Sequence, residues 1–133
     1  IYRLVPEDRV AWHAGLSWWG EARGLNESSI GVEIVNMDGN VHDYPDAQRD
    51  AVIGLCRGIL ARHRGIAARD VVGHSDIAPK RKDDPGGRFF WRALASAGVG
   101  LWPAVSAADG PADEADLLAV LRRIGYPPPH RYG

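Results

Sequence analysis

From Asp46 to His63 the apolar residues Ala47, Ala51, Val52, Leu55, Cys56, Ile59 and Leu60 recur at helical spacing. That pattern constrains the fold more than any other in the chain, because it predicts one long helix with an apolar stripe that has to be buried. Asp46, following Pro45, is placed to cap its start, and Gly65 to end it. Strand-like segments stand on both sides. Ile30–Asn36 (IGVEIVN) is a β-branched run that stops at the Asp38-Gly39 turn, Ile1–Val5 reads as an opening strand, and Asp70–Gly73 as a short one that delivers His74 to a loop. Phe89–Ala97 and Asp113–Ile124 read as further helices, the second with an acidic start and Arg122-Arg123 near its end, as the helix dipole favours.

The 133 residues fit one domain plus a tail. Hydrophobic residues make up 45% and charged residues 25%, an ordinary globular balance, and a formal charge of −1 gives no basic excess for nucleic acid. No apolar run is long enough for a membrane span. The lone Cys56 has no internal disulfide partner and falls within the apolar helical pattern, as a small buried hydrophobe would. Small residues, Gly and Pro around Gly98–Pro111 mark a linker. The expected organisation is a main domain over 1–103, a linker over 104–112 and a helical extension from 113 onward.

The segment Gly73–Gly86, GHSDIAPKRKDDPG, combines a histidine, prolines, cations and aspartates in one loop. His74 and Asp84 lie ten residues apart, so a loop that doubles back can bring imidazole and carboxylate to one metal ion. Pro79 and Pro85 stiffen the excursion. In an extended run Lys82 points the same way as Asp84 and Asp83 points away, which puts a cation where negative charge could develop on a substrate oxygen. The competing reading is a surface loop with internal salt bridges.

This segment resembles the zinc-binding signature GHSDIAPxRKxDPG of the type 2 N-acetylmuramoyl-L-alanine amidases, which share a fold with peptidoglycan recognition proteins and some phage lysozymes. Two more blocks of that family occur in order, AWHAG at Ala11–Gly15 and LNxxSIGxE at Leu25–Glu33. The resemblance covers roughly residues 1–103. It implies an α/β fold of the α+β type, with a central mixed β-sheet flanked by helices, a bound Zn2+ held by His74 and Asp84, Glu33 as general base and Lys82 steadying the oxyanion. The implied reaction is hydrolysis of the amide between N-acetylmuramic acid and L-alanine in peptidoglycan or muropeptides.

The individual residues carry alternatives. Glu33 is either a solvent-facing strand residue or the base, and Gly31 beside it leaves open space that a pocket needs. His13 is a zinc ligand, a sugar contact or a satisfied loop histidine, and Trp12 either stacks on a sugar or is half-buried, an ambiguity that Trp18-Trp19 shares. With Asn26, these two are the candidate substrate contacts. His42, His63 and His130 are read as surface residues. Relatives often carry an arginine directly before Leu25-Asn26; here Gly24 holds that place and Arg23 precedes it.

A catalytic zinc usually has three protein ligands, and only two are named. In the family the third is a histidine on a strand upstream of the part matching Ile1–Val5. The chain is therefore expected to be part of a longer protein, inactive alone for want of that ligand and with an exposed sheet edge along Ile1–Val5, unless His13 has taken the role. The helix after Asp113 either packs on the amidase domain or begins a small peptidoglycan-binding extension. A monomer in the bacterial envelope, anchored or free, is expected, acting on peptidoglycan fragments without nucleic acid or a membrane span as partner. A non-catalytic peptidoglycan-binding module of the same fold is the alternative function; no HExxH motif supports a zinc peptidase.

Overall fold

The computed structural model describes residues 1–104, 106, 110 and 113–127. Two short strands, β1 (Trp18–Trp19) and β2 (Ala22–Arg23), form an antiparallel hairpin, followed by the helices α1 (Asp46–Arg62), α2 (His74–Ile77), α3 (Trp91–Ser96) and α4 (Glu114–Ile124). One-turn 3₁₀ segments cover Leu25–Glu27 and Ala68–Asp70.

The long helix forms where periodicity predicts it. Its Val52 and Ile59 are buried, while Ala51 is exposed and Ile53 packs inward instead. Asp46 does not cap it through its side chain: Pro45 is the N-cap residue, and the Asp46 carboxylate takes a 2.7 Å ion pair with Arg49 one turn on. The helix stops at Arg62 with His63 as C-cap, before Gly65 is reached. His63 is not idle, since Glu7 accepts from its Nε2 at 2.7 Å and from Arg62 at 2.5 Å. That carboxylate joins the amino-terminal loop to the end of α1.

The expected strands Ile1–Val5, Ile30–Asn36 and Asp70–Gly73 form no ladder among the described residues. A β-branched run marks a segment that suits a sheet, but a strand exists only where a neighbour supplies backbone partners in register. Ile1, Tyr2 and Leu4 stay more than four-fifths exposed. Ile34 and Val71 instead meet side chain to side chain in a core cluster with Val52, Leu94 and Val99, closed by Phe89, Phe90 and Trp91. Cys56 packs against this cluster, and burial pushes its thiol pKa up.

A second cluster joins the segments that carry the candidate residues. Ala14, Leu25, Ile77 and Ala78 are buried together, with Trp19 and Val72 against them. Ala14 belongs to AWHAG, Leu25 to LNESSIGVE and Ile77-Ala78 to GHSDIAPKRKDDPG, so the three blocks share one core.

α4 begins as its sequence dictates: Asp113 accepts from the Asp116 amide at 2.8 Å, acids fill the first turn and Arg122-Arg123 the last. It is docked at its end. The Gly20 amide donates to the Gly125 carbonyl, the Tyr126 ring meets Trp19 edge-on at 5.1 Å, and the Tyr126 hydroxyl donates to Asp76. Trp19 also donates from its indole to Asp70 at 3.1 Å, so this tryptophan is a structural residue of the hairpin. Most of the expected linker, and His130, lie outside the described residues.

Candidate active site

His74 opens α2 because Asp76, two residues on, accepts from the Gly73 amide at 2.7 Å and caps that turn. The chain then turns back at Ala78, whose carbonyl accepts from the amides of Arg81 and Lys82. The Ser75 amide donates to the Asp84 carbonyl at 2.9 Å, which closes the ten-residue excursion and sets His74 beside Asp84.

The far end of the loop is pinned as well. Tyr44 donates its hydroxyl to the Pro85 carbonyl at 2.7 Å, and Gly87 donates its amide to Asn40 at 2.9 Å. Gly86, at φ +85°, lies so close to Gly39 that a Cβ there would sit 2.5 Å from the Gly39 carbonyl carbon. Gly39 itself has no positive φ, although an Asp-Gly turn suits one. Partial burial and the nearby Asp84 charge raise the pKa of the Tyr44 phenol.

His74 Nδ1 faces Asp84 Oδ2 at 3.2 Å, and its Nε2 faces the Ala14 carbonyl at 3.1 Å. A carbonyl only accepts, so Nε2 carries the hydrogen of that bond. In the neutral ring Nδ1 is then a lone pair turned towards a carboxylate oxygen. Two acceptors at that distance repel unless positive charge lies between them, as a proton on Nδ1 or as a cation.

Five of the residues expected from the sequence, Trp12, His13, Asn26, His74 and Lys82, line one cleft of about 240 Å³ with Ala14, Gly15 and Arg81. Trp12 is 92% exposed, so its ring stands free at the rim. Lys82 also borders a neighbouring cavity of about 370 Å³, together with Asp83. Asp84 meets the cleft through His74, whereas Glu33 is exposed and borders neither cavity.

Gly31 leaves no open space: a Cβ there would lie 2.4 Å from the His13 ring. The ring is held against Gly31 with Nε2 3.3 Å from the Ser29 carbonyl, and among the described residues no third His, Cys, Asp or Glu joins His74 and Asp84. His13 thus lines the cleft with the Ser29 carbonyl as a partner of its ring. Asn26 has a structural duty that sequence reasoning missed, because its Oδ1 accepts from the amides of His13, Ala14 and Gly15 at 3.1, 2.8 and 3.3 Å. Arg81 was missed too; it donates to the Ala14 and Leu16 carbonyls at 3.0 and 2.8 Å. The signal was present, since Arg81 is a fixed position of the quoted signature that metal chemistry leaves unused.

The chain is similar in sequence and in fold to known proteins. The family model for N-acetylmuramoyl-L-alanine amidase matches residues 1–87. The chain is 43% identical to N-acetylmuramoyl-L-alanine amidase AmiD of Escherichia coli, over 95% of this chain and 51% of that protein. It is 40% identical to 1,6-anhydro-N-acetylmuramyl-L-alanine amidase AmpD of Enterobacter cloacae, over 68% of this chain and 47% of that one. The chain spans about half the length of these curated relatives.

Among solved structures, AMPDH3 from Pseudomonas aeruginosa in complex with anhydromuramic pentapeptide superposes with a TM-score of 0.85 at 39% identity, over 96% of this chain and 56% of that one. AmiD from E. coli, in complex with the substrate anhydro-N-acetylmuramic acid-L-Ala-D-gamma-Glu-L-Lys, superposes at 0.83 and 41% identity, over 96% and 55%. The α/β class read from the sequence therefore stands, although the sheet within this chain is reduced to the β1–β2 hairpin. By its matched residues, its three sequence blocks and its fold, the chain belongs to the N-acetylmuramoyl-L-alanine amidase family.

Proposed function

We propose that the protein hydrolyses the amide between the lactyl group of N-acetylmuramic acid and L-alanine in peptidoglycan fragments, with His74 and Asp84 holding a zinc ion. The observation that carries this reading is the facing of His74 Nδ1 and Asp84 Oδ2 at 3.2 Å while Nε2 is committed to Ala14. Zinc–nitrogen and zinc–oxygen bonds of about 2.0–2.2 Å at a tetrahedral angle separate neighbouring ligand atoms by roughly 3.4 Å, so the pair fits two ligand positions. When bound, zinc supplies Lewis acidity that polarises the amide carbonyl and acidifies water.

The remaining roles fall to this chain's own side chains. Lys82, in the wall of the cleft beside His74, stabilises the negative charge that develops on the carbonyl oxygen. Glu33 removes the proton from the attacking water and returns it to the departing amine. It has no hydrogen-bond or ionic partner among the described residues, and in an extended run it would share a face with Gly31, which packs on His13. The exposed Trp12 ring offers a stacking surface for the sugar, with His13 and Asn26 in the same wall.

The bacterial envelope is the proposed place of action; among the described residues no helix is long and apolar enough to cross a membrane. The competing reading is a peptidoglycan-binding module without turnover, which the position of Glu33 outside the cleft lining favours.

The test is turnover of an anhydromuramyl peptide by the full-length protein and by Glu33→Ala and Lys82→Ala. Loss of turnover by about 10²-fold or more in each, with zinc content retained, is expected. Equal activity in either variant sinks its assigned role, and ligand binding without turnover in the unmodified protein establishes the binding module.

A further inference from the structure

We infer that Arg81 is a positioning residue that fixes which nitrogen of His74 carries the proton, and thereby keeps Nδ1 available towards Asp84. The inference rests on the reading of His74 and Asp84 as a metal-holding pair, but it concerns a residue to which that reading gives no part.

The tie begins at the Ala14 peptide. Its carbonyl accepts from His74 Nε2 at 3.1 Å and from Arg81 Nη2 at 3.0 Å; a carbonyl oxygen has two lone pairs, so the two donors do not compete. Arg81 reaches the Leu16 carbonyl with the same nitrogen at 2.8 Å. On the opposite edge, Asn26 Oδ1 holds the amides of His13, Ala14 and Gly15. The strip from His13 to Leu16 is thus gripped on its N–H side by a carboxamide and on its C=O side by a guanidinium. Its freedom to turn the Ala14 carbonyl away from His74 is removed.

That orientation decides the tautomer. With an acceptor fixed at Nε2, a hydrogen resides there and Nδ1 is the nitrogen left facing Asp84 for a cation to take. Without it, the imidazole has a more favourable alternative 3.2 Å away, because a proton on Nδ1 can be donated to Asp84 Oδ2. That His–Asp hydrogen bond would satisfy both groups and occupy the lone pair that a cation needs. A ligating histidine depends on an acceptor for its other nitrogen, and the loss of such support typically lowers metal affinity by about 10- to 100-fold. Arg81 suits the task because its planar fork holds a fixed direction, which a lysine ammonium does not.

The experiment records long-range ¹⁵N–¹H correlation spectra of His74 in the metal-free full-length protein, alongside Arg81→Ala and Arg81→Lys, and measures zinc affinity by competition with a chelator. The unmodified protein should show hydrogen on Nε2. Arg81→Ala should show a population with hydrogen on Nδ1 and none on Nε2 and bind zinc about 10- to 100-fold more weakly, with Arg81→Lys between the two. A folded Arg81→Ala variant that keeps the Nε2–H signature and binds zinc within about twofold of the unmodified protein overturns the inference, since a merely structural tie would lower only stability. Should Arg81→Ala fail to fold, an unaltered His74 signature and zinc affinity in Arg81→Lys overturns it equally. The tautomer is read without metal or substrate, so missing amidase activity would count against the proposed function and leave this inference standing.

Discussion

Replacing Asn26 with alanine removes the acceptor that holds three consecutive amides of the cleft wall. The Gly15 amide is exposed and regains water, but those of His13 and Ala14 are partly buried, and their bonds of 3.1 and 2.8 Å are the ones whose loss counts. Leaving such donors without a partner costs about 1–3 kcal/mol. Unfolding entropy of about 2.1 cal/mol/K per residue gives roughly 0.28 kcal/mol/K for this chain, so the midpoint should fall by about 4–11 °C. Asn26→Asp keeps an oxygen in place and should lose less. Thermal unfolding followed by circular dichroism reads the midpoint, and hydrogen exchange at His13, Ala14 and Gly15 reads the site. A midpoint within about 1 °C of the parent, with unchanged exchange at those amides, would refute the claim that Asn26 holds the loop.

Three further outcomes are expected. Hydrogen bonds from Arg62 and then His63 lower the Glu7 pKa from 4.5 to about 2, so its contribution to stability is fully present above pH 4.5 and is lost as pH falls towards 2. The stability gap between the parent and Glu7→Gln should therefore close over that window, and a gap constant with pH would exclude the mechanism. Trp12→Ala should raise KM several-fold with little change in melting temperature, because the ring is 92% exposed; an unaltered KM would remove Trp12 from the substrate site. Tyr126→Phe deletes the donor to Asp76 and should cost about 1 kcal/mol, speeding proteolysis around α4; unchanged proteolysis would mean that this hydrogen bond does not hold the helix end.

What could be read from the sequence, and what could not, follows from the range of the forces involved. α1, α3 and α4 were legible because their apolar spacing and, in α4, the charge order are local properties of the chain. The pairing of His74 with Asp84 was legible because one loop contains both. The sheet was not, since β-branched runs declare a preference and a ladder needs a partner that local sequence does not name. Gly31 was misread for the same reason: a glycine shows that space is required there but not that the His13 ring fills it. Arg81, Asn26 and Glu7 act across 11 to 67 residues of chain, and although the signature marks Arg81 as a fixed position, no local pattern names the partners of these three. The Trp19–Tyr126 contact closes 107 residues and was equally hidden.

The central claim is that this site cuts one particular amide. Mass analysis of the products from anhydro-N-acetylmuramic acid carrying an L-Ala-initiated peptide, incubated with the zinc-loaded full-length protein and with the chelated protein, tests it directly. Free anhydro-N-acetylmuramic acid and a peptide with a new L-alanine amino terminus are predicted, formed only with zinc present. Cleavage within the peptide, or equal cleavage after chelation, would contradict it.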